Sequence, residues 1–189
     1  MAFTCGDLDE LTGLVVEAWR AGIGRDWTVQ AGTLEWSCLR TADHAVDTVF
    51  APALFLASRK LDSYPTYGLF TPGADADPAV LIEALQTATR TLTAVVKAAG
   101  PSVRAVIWRR PEAETRPPED FVPRGALELI LHAHDVCAGL GIAFQPPDPL
   151  CERLRDHTAD WPMWTAVPGW HPPAPTGPAW PALLHASGR

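Results

Sequence analysis

Residues 123–141 read PRGALELILHAHDVCAGLG. A proline at the first position, where a helix needs no N–H donor, and a Gly-Leu-Gly at the end bracket one helical run. Within Ala126–His132 the only polar residues are Glu128 and His132. They stand four apart, and Asp135 follows three later, so a carboxylate, an imidazole and a second carboxylate project from one face at adjacent turns. An ionised Glu128 in such apolar company is costly to bury without a partner, and a cation is a natural one.

Working outward, the same periodicity recurs. Between Asp7 and Ala21 the residues Leu8, Leu11, Val15, Ala18 and Trp19 recur at three and four, a first helix with Asp7 as its cap. A second runs from Thr33, its N-cap candidate, to about Lys60, with Pro52 expected to kink or divide it. A turn-rich stretch, SYPTYGLFTPGADA at 63–76, leads to a third helix over Asp77–Ala99, closed by Gly100-Pro101. Residues 102–108 alternate enough for a short strand, and PEAETRPPEDFVP is too proline-rich for a core element, so 101–122 reads as a long crossover. After the run quoted above, Pro149 opens a shorter helix around Leu150–Trp161.

Ten of the 19 prolines fall at or after Pro146, so the last 25 or so residues are expected to form an extended strap without regular helix, anchored by Trp164, Trp170 and Trp180. The expected fold is all-α: a four-helix bundle with a long crossover before its last helix, residues 1–165, plus a tail at 166–189 packed on the same domain.

A chain of 189 residues holds no second large domain. With 47% hydrophobic and 20% charged residues, and no uncharged apolar run near the roughly 18–20 residues of a membrane span, the expected protein is a soluble globule with no membrane partner. The acidic start MAFTCGDLDEL lacks the basic and apolar regions of a secretory signal, which leads to a cytoplasmic expectation. A net charge of -7 with scattered arginines repels a phosphate backbone, so nucleic acid is excluded as a partner. Cys5, Cys38, Cys137 and Cys151 form no CxxC pair and read as reduced buried thiols. Nucleophile-elbow, P-loop, dinucleotide and zincin motifs are all missing from the sequence.

On the second helix Ser37, Thr41, His44 and Thr48 are spaced four, three and four, a polar face inside an otherwise apolar run. Taken alone, His44 also fits a hydrogen-bonded core histidine, Glu128 with His132 a helix-surface contact, and Ser37 and Thr41 ordinary packing residues. Asp43, Asp47 and His134 read as solvated or supporting groups, and His157, His171 and His185 as surface residues.

Three blocks shift this balance: LEWSCLRTADHAVDTVFAPALFLASR at 34–59, ALELILHAHDVCAGLGIAFQPPDPL at 126–150 and PAWPALLHASGR at 178–189. Together they resemble the DinB/YfiT-like helical metalloproteins, and most of all proteins with the N-terminal domain of mycothiol-dependent maleylpyruvate isomerase. The matched positions are Trp36-Ser37 and His44 on the second helix, and Glu128, His132 and Asp135 on the fourth. The resemblance implies that His44, Glu128 and His132 hold a divalent metal, zinc first, with nickel, iron or another first-row metal as alternatives. Such a set leaves a coordination position open, as in catalytic zinc, where an entering thiol loses its proton. It thereby implies a metal-dependent thiol transferase or isomerase, with mycothiol or a similar low-molecular-weight thiol as co-substrate and a small-molecule electrophile as substrate. A homodimer is compatible with it. The namesake isomerase has a further C-terminal domain for which this chain has no room. Two other functions use the same framework: a non-catalytic helical binding module, and a metal-dependent hydrolase with a bound water as nucleophile.

Overall fold

The computed structural model describes residues 2–65, 77–109 and 112–189; the stretch 66–76, most of the turn-rich segment read above, lies outside them. The described chain is mostly helical. Among the described residues seven α-helices run in the order α1 (Cys5–Ala21), α2 (Cys38–Ser58), α3 (Pro78–Ala98), α4 (Phe121–Leu140), α5 (Asp148–Thr158), α6 (Met163–Ala166) and α7 (Ala179–Ala186). Between α3 and α4 lie two short antiparallel strands, β1 (Ala105–Trp108) and β2 (Glu114–Arg116), and a single 3-10 turn at Pro118–Asp120. The crossover thus carries a small hairpin, its second strand half-exposed inside the proline-rich stretch. Among the described residues no helix is long and apolar enough to cross a membrane.

The apolar stripes meet in one core. Leu8, Leu11, Val15 and Trp19 of α1, Ala45, Val49 and Leu56 of α2, Leu81, Leu85 and Leu92 of α3, and Leu127, Ile130 and Leu131 of α4 are all buried in it. Helix α2 packs on both α3 and α4, and α1 packs on the same two. A hydroxyl pair, Thr12 Oγ1 to Thr89 Oγ1 at 2.8 Å, satisfies two polar groups within the α1–α3 contact.

Helix ends show where side-chain chemistry outranked pattern. Helix α1 is capped by Thr4 rather than Asp7: the Thr4 hydroxyl accepts from the Asp7 N–H, and Asp7 Oδ2 accepts from the Thr4 N–H at 2.7 Å, a reciprocal capping box. Burial works to raise the Asp7 carboxyl, but the Thr4 hydroxyl and the Arg153 guanidinium hold it below its ordinary value. Asp7→Ala is therefore expected to cost about 1–2 kcal/mol at neutral pH. A depressed carboxyl gives its full contribution above the ordinary 3.8 and loses it as pH falls through the folded value. Urea denaturation should thus find the gap between wild type and variant closing in acid; a gap that stays constant would assign Asp7 a packing role instead.

Helix α2 begins at Cys38, later than expected, with Ser37 as N-cap accepting from the Arg40 N–H at 3.2 Å. Thr33 does not cap because the preceding backbone is already committed: Ala31 N–H donates to Trp36 O, Cys38 N–H to Val29 O and Leu39 N–H to Trp27 O. The last two of these bonds also use the first N–H groups of the helix. Pro52 sits inside α2 without dividing it. Helix α3 runs from its Asp77 cap, and α4 starts before Pro123, which occupies its first turn where an N–H is dispensable. Gly141, at φ 66°, ends α4.

The proline-rich tail is not wholly extended, contrary to the sequence expectation. Helix α7 forms because Pro178 precedes it and Pro181 lies in its first turn, so neither proline removes a helical hydrogen bond. It packs on α5 and buries Trp180 and Leu183, while Trp164 of α6 is fully enclosed.

Candidate metal centre

His44 rises from the second turn of α2; Glu128 and His132 stand one turn apart on α4, in the part of that helix facing α2. One ligand atom from each lies within 4.8 Å of those of the other two. His132 Nε2 is 3.5 Å from Glu128 Oε2, and the rings of His44 and His132 meet edge to face at 5.0 Å. Tetrahedral coordination at about 2.0–2.1 Å requires donors roughly 3.3 Å apart, so separations of up to 4.8 Å would have to shorten on binding an ion. Two imidazoles and a carboxylate are the donor chemistry of zinc and its first-row neighbours. On geometry and chemistry together, the cluster could hold a metal ion.

The electrostatics of Glu128 and His44 favour the same use, while those of His132 make a proton its competitor. Burial works to raise the Glu128 carboxyl, but Arg124 and His132 outweigh it and keep the group ionised, far below the usual carboxylate range. Arg124 Nη1 donates to Glu128 Oε1 at 2.9 Å and its guanidinium lies 4.5 Å over the Trp108 ring. Burial and the neighbouring His132 push His44 below its ordinary value, which keeps its ring neutral and its lone pair free. Burial lowers His132, yet its contacts with Asp135 and Glu128 win and raise it.

Supporting contacts surround the three. Trp36 packs edge to face on His44 with centroids 5.1 Å apart, and the Arg40 guanidinium lies 4.5 Å over that indole. Asp135, 1% exposed, meets His132 Nδ1 at 3.3 Å, the carboxylate–imidazole arrangement that orients a ligating histidine. Asp135 is also gripped by Arg189, which shares Oδ2 with His132, a contact that no helical spacing announces. A cavity of about 230 Å³ lined by Leu34, Glu35, Trp36 and His132 touches the cluster, as does one of about 480 Å³ whose wall includes Glu128, Arg124, Arg109, Tyr64, Trp108 and Met163. A cavity of about 510 Å³ along α1 and α3 shares no residue with the cluster.

The remaining candidates fall elsewhere. Ser37 is the α2 cap, Thr48 donates to Ala45 O, and Thr41 is buried with no hydrogen-bond partner for its hydroxyl among the described residues. Asp43 and Asp47 are half-buried neighbours on α2, and burial together with Asp43 pushes the Asp47 carboxyl up to about 6. His134 packs against Trp180 at 5.6 Å. His157 is no surface residue: its Nδ1 accepts from the Phe3 N–H at 3.1 Å and its Nε2 meets Asp120 at 2.9 Å, tying the N-terminus and the start of α4 to α5. His171 and His185 are exposed. All four cysteines are free thiols, three buried and Cys5 half-buried, and burial drives Cys137 and Cys151 up to about 12.

Compared with models of protein families, with curated proteins and with solved structures, the chain finds no match.

Proposed function

We propose that the four long helices form a DinB-like bundle and that the protein is a metal-dependent thiol transferase or isomerase. His44, Glu128 and His132 hold a divalent ion, zinc first, and the substrates are a low-molecular-weight thiol of the mycothiol kind and a small-molecule electrophile. The observation that carries this reading is the convergence of three ligand atoms within 4.8 Å from two helices, beside a cavity with Glu128 in its wall. Three protein ligands leave one position for an exogenous group.

When bound, the ion supplies a Lewis acid at which a thiol ionises near neutral pH. The chain's own residues do the rest. Glu128 offsets part of the cationic charge and Arg124 fixes its orientation. Neutral His44 and oriented His132 complete the cradle. Tyr64, Trp108 and Met163 give the larger cavity an apolar body, while Arg109 and Arg124 add positive charge that suits an electron-poor or anionic electrophile. The nucleophile comes from outside in this reading, since burial raises all four thiols, Cys137 and Cys151 up to about 12.

The test uses cobalt-loaded protein and a panel of thiols including cysteine, N-acetylcysteine and mycothiol. Thiolate ligation is expected to add a near-ultraviolet sulfur-to-cobalt charge-transfer band, absent from the His44→Ala variant. Unchanged spectra with every thiol, together with metal-dependent ester hydrolysis, would establish the water-using alternative; unchanged spectra with no turnover would establish a binding module.

A further inference from the structure

Arg189 and Asp135 are the most completely bonded ion pair near the centre. Arg189 Nε donates to Asp135 Oδ1 at 3.0 Å and to Oδ2 at 3.2 Å, and its second terminal nitrogen donates to Oδ2 at 2.7 Å. Both side chains are nearly enclosed, at 8% and 2% exposure. Arg189 is itself held in place: its N–H donates to Leu184 O at 2.9 Å, Nη1 donates to Ser187 O at 3.2 Å, and Trp170 lies 5.9 Å from its guanidinium. The fork geometry matters, because a planar guanidinium fixes the plane of a carboxylate where a point charge does not.

The fixed carboxylate has one further side-chain partner among the described residues, His132 Nδ1. An imidazole engaged at Nδ1 has only Nε2 left to offer, and that atom faces Glu128 Oε2. Left alone, Asp135 would be an enclosed anion free to rotate about two torsions, and its contact with His132, three residues away on the same helix, would not fix the ring.

We propose that Arg189 is a positioning residue of the metal centre, clamping Asp135 so that His132 presents Nε2 toward Glu128. The segment after α7 thereby becomes part of the site, through its ion pair with Asp135. This rests on reading His44, Glu128 and His132 as metal ligands.

The experiment is a double-mutant cycle on zinc affinity, by competition with a chromogenic chelator, using metal-stripped wild type, Arg189→Ala, Asp135→Asn and the double variant. Urea denaturation of the zinc-free proteins runs alongside. Outer-shell partners of ligating histidines are typically worth about 10- to 100-fold in affinity, so Asp135→Asn is expected in that range and Arg189→Ala near its lower end. Because Arg189 acts through Asp135, the double variant should bind no more weakly than Asp135→Asn alone. Arg189→Lys keeps the charge without the fork and should lose roughly a few-fold; it replaces the alanine variant if that one does not fold. Wild-type affinity in Arg189→Ala or Arg189→Lys, with lowered zinc-free stability, would overturn the proposal and leave only a tail clamp. Losses that multiply in the double variant would overturn it as well. A wild type that takes up no zinc would instead remove the metal reading on which it rests.

Discussion

Stripped of metal and reloaded, the wild-type protein is expected to retain about one divalent ion per chain, and His44→Ala or His132→Ala to lose it. Outer-shell contacts already account for about 10- to 100-fold in affinity, so removing a direct ligand should cost more than about 100-fold. Glu128→Gln should fall in the same class, since it removes the only negative charge among the three ligands and leaves Arg124 beside the cation unbalanced. His134→Ala is the control: its ring packs on Trp180, away from the cluster, and its metal content should match wild type. Binding competes with protons for both imidazoles. His132 lies above the ordinary 6.5 and His44 below it, so affinity should decline first as pH falls through the titration of His132. Metal analysis of the set after dialysis decides: an empty wild type, or a His134→Ala protein that loses metal while His44→Ala keeps it, would refute the assignment.

Gly139→Ala is expected to destabilise the fold by about 3 kcal/mol or more, against the roughly 1 kcal/mol of stabilisation that helix propensity alone would give. Gly139 lies in the last turn of α4. A Cβ there would stand 2.3 Å from Gln30 O, 2.6 Å from Cys38 Sγ and 3.1 Å from Ala31 Cα. The backbone cannot simply retreat, because residues 27–31 are bonded to 36–39 and the Cys38 thiol sits between Gln30 O and Val136 O, within donating distance of either. Any retreat also carries Trp36 away from His44, so metal affinity should fall together with the urea midpoint. A variant as stable as wild type would show that this approach is looser than the structure describes.

How much of this was legible beforehand depends on the range over which each residue acts. Helix α3 could be bounded from Asp77 and Gly100-Pro101 because cap and breaker are adjacent to what they delimit. Glu128, His132 and Asp135 share a face by spacing within one helix; His44 joined them only through the resemblance, since nothing in α2 says which helix it will meet. Several missed contacts link residues remote in sequence. Arg189 meets Asp135, and His157 meets the Phe3 N–H; no periodicity connects such pairs. Thr33 and Asp7 were misread as caps for a different reason. Any hydroxyl or carboxylate near a helix start qualifies on type, and the choice among them is made by backbone bonds, such as Cys38 N–H to Val29 O, that exist only once the chain has folded. The helix in the tail was hidden by counting prolines without asking where each falls: one before the helix and one in its first turn cost no hydrogen bond.

The split of the three ligands between α2 and α4 has a mechanical meaning as well. A coordinated ion there would be a reversible cross-link between two helices whose mutual packing is among the most extensive in the molecule. Such a link exists in the folded chain alone, so the free energy of binding is also free energy of folding, about 2.7 kcal/mol when free ion stands at 100 times the dissociation constant. Scarcity of the ion would then loosen the scaffold where α2 meets α4.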